Sequence, residues 1–181
     1  MLKEYLFTSA RLGFRGWTND DIAPMAAINA DAEVMRYFPA IPTAEQTALF
    51  VADMQQAQAA RGYCYFATDN LTTGELIGFI GLHVKTFEAD FTPCTDIGWR
   101  LARKWWGMGL ATEGATRCLQ EAFGRYNLQQ VYAIAPQVNT PSIHVMEKIG
   151  MKLHGTFQHP ALAQHQWLQP CVAYMASMEN V

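Results

Sequence analysis

The chain has 181 residues, half of them hydrophobic and 16% charged, which excludes disorder and predicts one domain over 1–181 with its own core. A formal net charge of -3, with scattered Lys and Arg apart from Arg100, Arg103 and Lys104, excludes a protein built to grip nucleic-acid phosphates. Cys64, Cys94, Cys118 and Cys171 form no CxxC pair and lack a zinc-type His spacing, so reduced structural thiols and no metal are expected.

The opening MLKEYLFTSARLGFR lacks the apolar run of a secretory signal, and no stretch approaches the roughly 20 apolar residues of a membrane span. A cytoplasmic protein with no membrane partner is the expectation. Residues 11–17 read as a strand. Thr18 then caps a helical region over 20–38, in two short pieces, that ends before Pro39. Thr43 with Gln46 forms a capping-box pattern opening an Ala- and Gln-rich helix that stops at Gly62. Residues 63–67 and 75–84 read as an antiparallel hairpin turning at Thr72-Thr73-Gly74, and 96–101 as a further strand. A helix over 109–126 repeats Ala111, Ala115, Cys118, Leu119 and Ala122 on one face, with Glu113, Arg117 and Glu121 on another. A strand at 131–135, a helix at 140–149 and a final strand pair at 151–157 and 168–177 complete a mixed α/β domain.

Between strand 96–101 and helix 109–126 lies Lys104-Trp105-Trp106-Gly107-Met108-Gly109-Leu110-Ala111-Thr112. The first N–H groups of a helix lack intrahelical acceptors and carry partial positive charge, and glycines let a ligand approach the backbone. A pyrophosphate suits such a place, with Arg103 and Lys104 adding charge. A Walker loop is excluded because Gly109 is followed by Leu110 and Ala111 instead of Lys and Ser/Thr. A dinucleotide fingerprint fails at Thr112, and the strand 131–135 carries no acidic residue. A purely structural tight turn is the competing reading of the two glycines.

Lys104-Trp-Trp-Gly107-Met-Gly109 resembles the Gln/Arg-x-x-Gly-x-Gly/Ala acetyl-CoA motif of the GNAT superfamily. The following Leu-Ala-Thr-Glu-Gly and the segment Asn139-Thr-Pro-Ser142-Ile-His-Val-Met-Glu-Lys-Ile-Gly-Met are similar to the branch holding ribosomal-protein N-terminal acetyltransferases. Thr8 to Arg15, Asp31 to Tyr37, His159-Pro160 and Val172 to Tyr174 extend the likeness, in order, over most of the chain. It implies a central twisted mixed sheet flanked by helices, acetyl-CoA as cosubstrate, and direct acetyl transfer to a primary amine. Two departures stand out: Lys104 replaces the usual Gln or Arg, and Met146 occupies the slot where many relatives place an acid tyrosine.

The resemblance assigns cofactor contacts to Trp99, Leu101, residues 104–112, Asn139 and Ser142. An amine must lose a proton before it attacks, and Asp96 occupies the acidic position of its strand, with Glu75 and Glu88 as second choices. A backbone N–H of 96–101 is the expected oxyanion donor. Ser142, in a first helical turn set by Pro141, is the expected thiolate acid; a capping or solvent-facing serine is the alternative. His144 and His159 are weaker titrating candidates. Tyr37 and Phe38, beside a proline-stiffened turn, and Phe87, in the loop 85–95 with Glu88 and Asp90, are the candidate acceptor contacts. The acceptor is then a small-molecule amine or a protein N-terminus, and the protein a monomer or homodimer. An acetyl-CoA-binding sensor with weak turnover is the alternative that Met146 leaves open.

Overall fold

Local sequence signals set most element boundaries in the computed structural model, which describes residues 3–179. The Thr43 side chain accepts from the Gln46 N–H and the Gln46 side chain reaches back to the Thr43 N–H, starting a helix at Ala44. That helix ends where Gly62 takes the left-handed conformation at φ 81°. The elements are β1 (Phe7–Thr8), β2 (Leu12–Arg15), α1 (Ile22–Asn29), α2 (Ala44–Arg61), β3 (Tyr65–Asn70), β4 (Leu76–Lys85) and β5 (Cys94–Leu101). They continue with α3 (Leu110–Gly124), β6 (Gln130–Pro136), α4 (Thr140–Lys148), β7 (Lys152–Gln158) and β8 (Pro170–Ser177). The strands form one eight-stranded sheet ordered β1-β2-β3-β4-β5-β6-β8-β7. All neighbours are antiparallel except β5 and β6.

Adjacent strand residues face opposite ways, which separates the two helical layers. Phe79 meets Phe50 of α2 at a ring distance of 5.3 Å, whereas Ile80 packs beneath Gly114 of α3. A Cβ at Gly114 would lie 2.3 Å from Ile80 Cδ1, so this glycine lets α3 settle onto β4. Ala115, Cys118, Leu119 and Ala122 are buried on the same helix, as the helical spacing predicts. All four cysteines are buried and free.

Two segments differ from the sequence reading. Residues 31–38 form successive turns instead of a second helical piece; the Asp31 side chain takes the Glu33 N–H at 2.9 Å, a local bond that competes with helix. The short strand β1, unpredicted, pairs with β2. Opposite α3, Arg15 is clamped between Asp21 (2.7 Å from both terminal nitrogens) and Asp69 (2.7 and 3.0 Å). Lys3 also reaches Asp69, at 2.8 Å. This buried network ties β2, β3 and the start of α1 together. Among the described residues, no helix is long and apolar enough to cross a membrane.

Candidate active site

The parallel strands β5 and β6 are in register at one pair only, Asp96 with Tyr132, and beyond it they part. Each leads into a helix, β5 into α3 and β6 into α4, so both helix N-termini lie at the open end of the divergence. Ligands of α/β sheets bind at such carboxyl ends, where neighbouring strands separate. Gly107 and Gly109 sit at φ 72° and 76°, a region that favours glycine. Gly109 is the N-cap of α3 and supplies no side chain, so the first amides of the helix keep their donors for a ligand.

This loop is held from below. Arg11 donates to Met108 O at 3.0 Å and to Glu113 Oε2 at 2.7 Å, and Glu113 Oε1 takes Ser9 Oγ at 2.6 Å and the Arg11 N–H at 2.8 Å. Burial works against ionised Glu113, but the Ser9 and Arg11 hydrogen bonds win and lower its pKa. Arg11 thus offsets an acidic side chain one turn into α3. Lys104 is drawn to Glu75 instead of the glycine loop, an exposed pair of small energetic weight. Trp105 is half-buried against the core. Trp106 lies exposed at the rim, its indole N–H on Leu101 O at 2.8 Å. Trp99 and Leu101 share the α3 side of β5; Met108 is exposed, Leu110 buried, and Ala111 and Thr112 half-buried.

At the closed end of the divergence lies Asp96, only 5% exposed. It is thus shielded from water although it lies near the start of its strand. Burial pushes its pKa up, while Lys85, the Tyr65 hydroxyl and the Ile134 backbone N–H pull it back, leaving it at about 6. The Tyr65 hydroxyl donates to Asp96 Oδ2 in a short hydrogen bond. A carboxyl group titrating near neutrality, at the junction of two diverging strands, is suited to take a proton from an ammonium ion.

Register explains how Tyr65 arrives there. Tyr65 is opposite Gly81, and Gly81 is opposite Gly98. With no side chain on either glycine, the ring lies across the sheet to Asp96; a Cβ on Gly98 would sit 3.0 Å from it. The same face carries Phe79, His83 and Lys85 of β4 and Arg100 of β5. Lys85 Nζ stands 5.0 Å from the Tyr65 ring centre. The sequence reading missed Tyr65, Arg100 and Arg11 as site residues, because only cross-strand register and long-range contact bring them in.

Of the other expected residues, Phe38 covers the Arg100 guanidinium at 4.2 Å and is itself partly exposed. Tyr37 is half-buried and takes Arg36 over its ring at 5.6 Å. Phe87 stacks on Phe157 at 5.8 Å and meets His159 at 4.4 Å, forming an aromatic wall on the β7 side. Ser142 lies in the first turn of α4, and its backbone N–H is capped by Asn139 Oδ1 at 3.2 Å, so Asn139 does shape that turn. Met146 is 2% exposed, a core residue of α4. His144 and Glu88 face solvent, and Glu75 lies beyond the opposite end of β4 from His83, the partner of Asp96. Eight residues of strand separate Glu75 from His83, about 26 Å. No group of three His, Cys, Asp or Glu among the described residues is arranged to hold a metal.

Residues 11–152 match the family profile described as Acetyltransferase (GNAT) domain. YkkB of Bacillus subtilis (strain 168) is 29% identical over 150 residues, covering 83% of this chain and 82% of its own. The crystal structure of a GNAT-family acetyltransferase from Bacillus anthracis superposes with a TM-score of 0.78 at 28% identity, covering 95% of this chain and 98% of that one. RimL, titled a ribosomal L7/L12 alpha-N-protein acetyltransferase in complex with coenzyme A, shares the fold with a TM-score of 0.77 at 14% identity, covering 98% and 100%.

Proposed function

The chain belongs to the GNAT acetyltransferase family, and on that premise we propose that it moves an acetyl group from acetyl-CoA directly to a primary amine, with Asp96 as the proton acceptor. One observation carries the reading: a buried carboxyl group with a pKa of about 6 at the single β5–β6 pairing, where the gap between the strands begins. The glycine loop and the α3 N-terminus, at the open end, suit the pyrophosphate of CoA through backbone donors. On this reading the remaining contacts are those the family resemblance assigns: Trp99, Leu101, Leu110, Ala111, Thr112 and Asn139. Acetyl-CoA supplies the activated thioester when bound.

Asp96 receives the ammonium proton, and the Tyr65 hydroxyl and Ile134 N–H hold its carboxylate in place. Lys85 keeps its pKa from rising further with burial. Ser142, whose hydroxyl makes no hydrogen bond among the described residues, is the group available on α4 to donate to the departing sulfur, since Met146 in the core cannot. The amine enters over the face bearing Phe38, Tyr65 and Phe87. RimL acts on a protein α-amine by its title; here both a protein N-terminus and a small amine fit the reading.

The test is calorimetric titration with acetyl-CoA, CoA and ATP, run beside a thiol-release screen over small amines and N-terminal peptides. Binding of acetyl-CoA but not ATP, with thiol release for some amines, is the expected result. Tight CoA binding with no release from any amine supports the sensor reading instead, and no CoA binding removes both.

A further inference from the structure

Arg100 is a cation in an unusual position. It lies on the same face of β5 as Asp96, with Gly98 between them, and its guanidinium is sandwiched between Phe38 at 4.2 Å and Phe79 at 5.4 Å. Its hydrogen bond to the protein runs from Nη1 to Asn29 Oδ1 at 2.8 Å. The Nε–H is buried and has no acceptor, and among the described residues no carboxylate lies within ion-pair distance of the group. Buried arginines elsewhere in the fold are treated differently, as Arg15 with its two aspartates shows. A guanidinium offers a planar fork of donors suited to a carboxylate, and buried donors left unpaired are costly. Burial even lowers the pKa of Arg100 to about 10, with the nearby Tyr65 acting the other way.

The remaining charges on this face agree. Lys85 lies over Tyr65 on the other side of Asp96, and His83 is engaged by Asp53 at 3.3 Å. Arg100 and Lys85 flank Asp96 among aromatic groups, and the Asp53 carboxylate that reaches this face is turned to His83, which favours an acceptor carrying negative charge of its own over a polyamine. Four residues of strand separate Asp96 from Arg100, about 13 Å between their backbones. Side chains standing off one sheet face leave that span to an extended peptide of about three to four residues.

Resting on the acetyl-transfer reading above, we propose that Arg100, with Asn29 and Phe38, binds a carboxylate of the acceptor, so that the acceptor is an amino-carboxylate whose amine lies at Asp96. Phe38 covers the guanidinium carbon at 4.2 Å, and Nε–H and Nη2 are the donors not given to Asn29. Asn29 fixes the fork by holding Nη1. Two sources present this chemistry: a short peptide through its own C-terminus, and a protein N-terminus through an acidic side chain near the amine.

The experiment compares alanine, dialanine and trialanine as free acids and as C-terminal amides in the thiol-release assay, for the wild-type protein and for Arg100→Gln. A second pair, Ala-Glu-Ala amide against Ala-Gln-Ala amide, tests the side-chain source. At least one acid should exceed its neutral partner in kcat/KM by about ten- to a hundredfold, the range of a charge-assisted hydrogen bond, and Arg100→Gln should bring the ratio close to one. Binding of N-acetyl-dialanine acid and its amide to the CoA-saturated wild-type protein gives a readout that needs neither turnover nor the variant. The acid should bind at least about tenfold tighter. Release from neutral amines as fast as from every acid partner, the side-chain pair included, overturns the assignment while leaving acetyl transfer standing, and no preference for the acid in binding removes the C-terminal source. Failure of CoA to bind at all removes the underlying reading instead.

Discussion

Replacing Asp96 by Asn should make the protein more stable at neutral pH and nearly inactive. Asp96 is buried, and its pKa is raised from 3.8 to about 6 chiefly by desolvation. An acid with a raised folded-state pKa binds more protons folded than unfolded, so its ionisation opposes folding as pH rises through the window between those values. The penalty is about 1 kcal/mol at about pH 4.5 and on the order of 3 kcal/mol at about pH 8. Asn keeps the shape and an oxygen for the Tyr65 hydroxyl but does not titrate. The stability gain of Asp96→Asn over wild type should therefore grow by about 2 kcal/mol between about pH 4.5 and about pH 8, nearly all of it below about pH 6.5. Urea denaturation of both proteins at several pH values measures this directly. Turnover in the thiol-release assay should fall by at least about a hundredfold, with acetyl-CoA affinity little changed. A stability difference that does not vary with pH would refute the burial argument, and unimpaired turnover would remove Asp96 as the base.

Tyr65→Phe removes a hydrogen bond that favours ionised Asp96, so the acidic limb of the pH–kcat/KM profile should move to higher pH; an unmoved limb means Tyr65 does not tune the base. The same change should cost about 1.5–3 kcal/mol in urea melts at about pH 8, where the carboxylate is charged. Gly109→Glu forces a side chain into a left-handed position at φ 76° and places a negative charge at the α3 N-terminus, so acetyl-CoA binding should weaken at least about tenfold by calorimetry. Gly109→Ala, carrying the strain without the charge, should lose less. Arg15→Met removes the buried cation between Asp21 and Asp69, leaving Asp69 only Lys3 as a cation and Asp21 none, and should lower stability by about 3–5 kcal/mol; a loss under about 1 kcal/mol would mean water reaches the pair.

Local chemistry wrote a large share of this structure into the sequence. The Thr43–Gln46 capping box, the stop at Gly62, the start of α4 at Thr140-Pro141 and the apolar stripe of α3 act between residues a few positions apart, and their signals survive in linear order. The glycine loop was legible for the same reason: Gly107 and Gly109 stand immediately before a helix, and a helix N-terminus binds anions wherever it lies. Asp96 was nameable as a candidate base from the family resemblance and its place in a strand. Whether it was solvated or buried, and hence its pKa, was not.

Tertiary structure alone decided the rest, because those features depend on register and on contacts across scores of residues. Tyr65 reaches Asp96 only because β3, β4 and β5 align it with Gly81 and Gly98, and a slip of one residue would turn the ring to the α3 face. Arg11 clamps the glycine loop through Met108, 97 residues away, and Lys104, in the segment leading into that loop, turns instead to Glu75. Arg100 belonged to a basic triplet in the sequence, but β5 ends at Leu101, before Arg103 and Lys104, so Arg100 alone is set on the sheet face, under Phe38. Register between strands is a long-range property of a sheet, and it sets which charges share the face of Asp96.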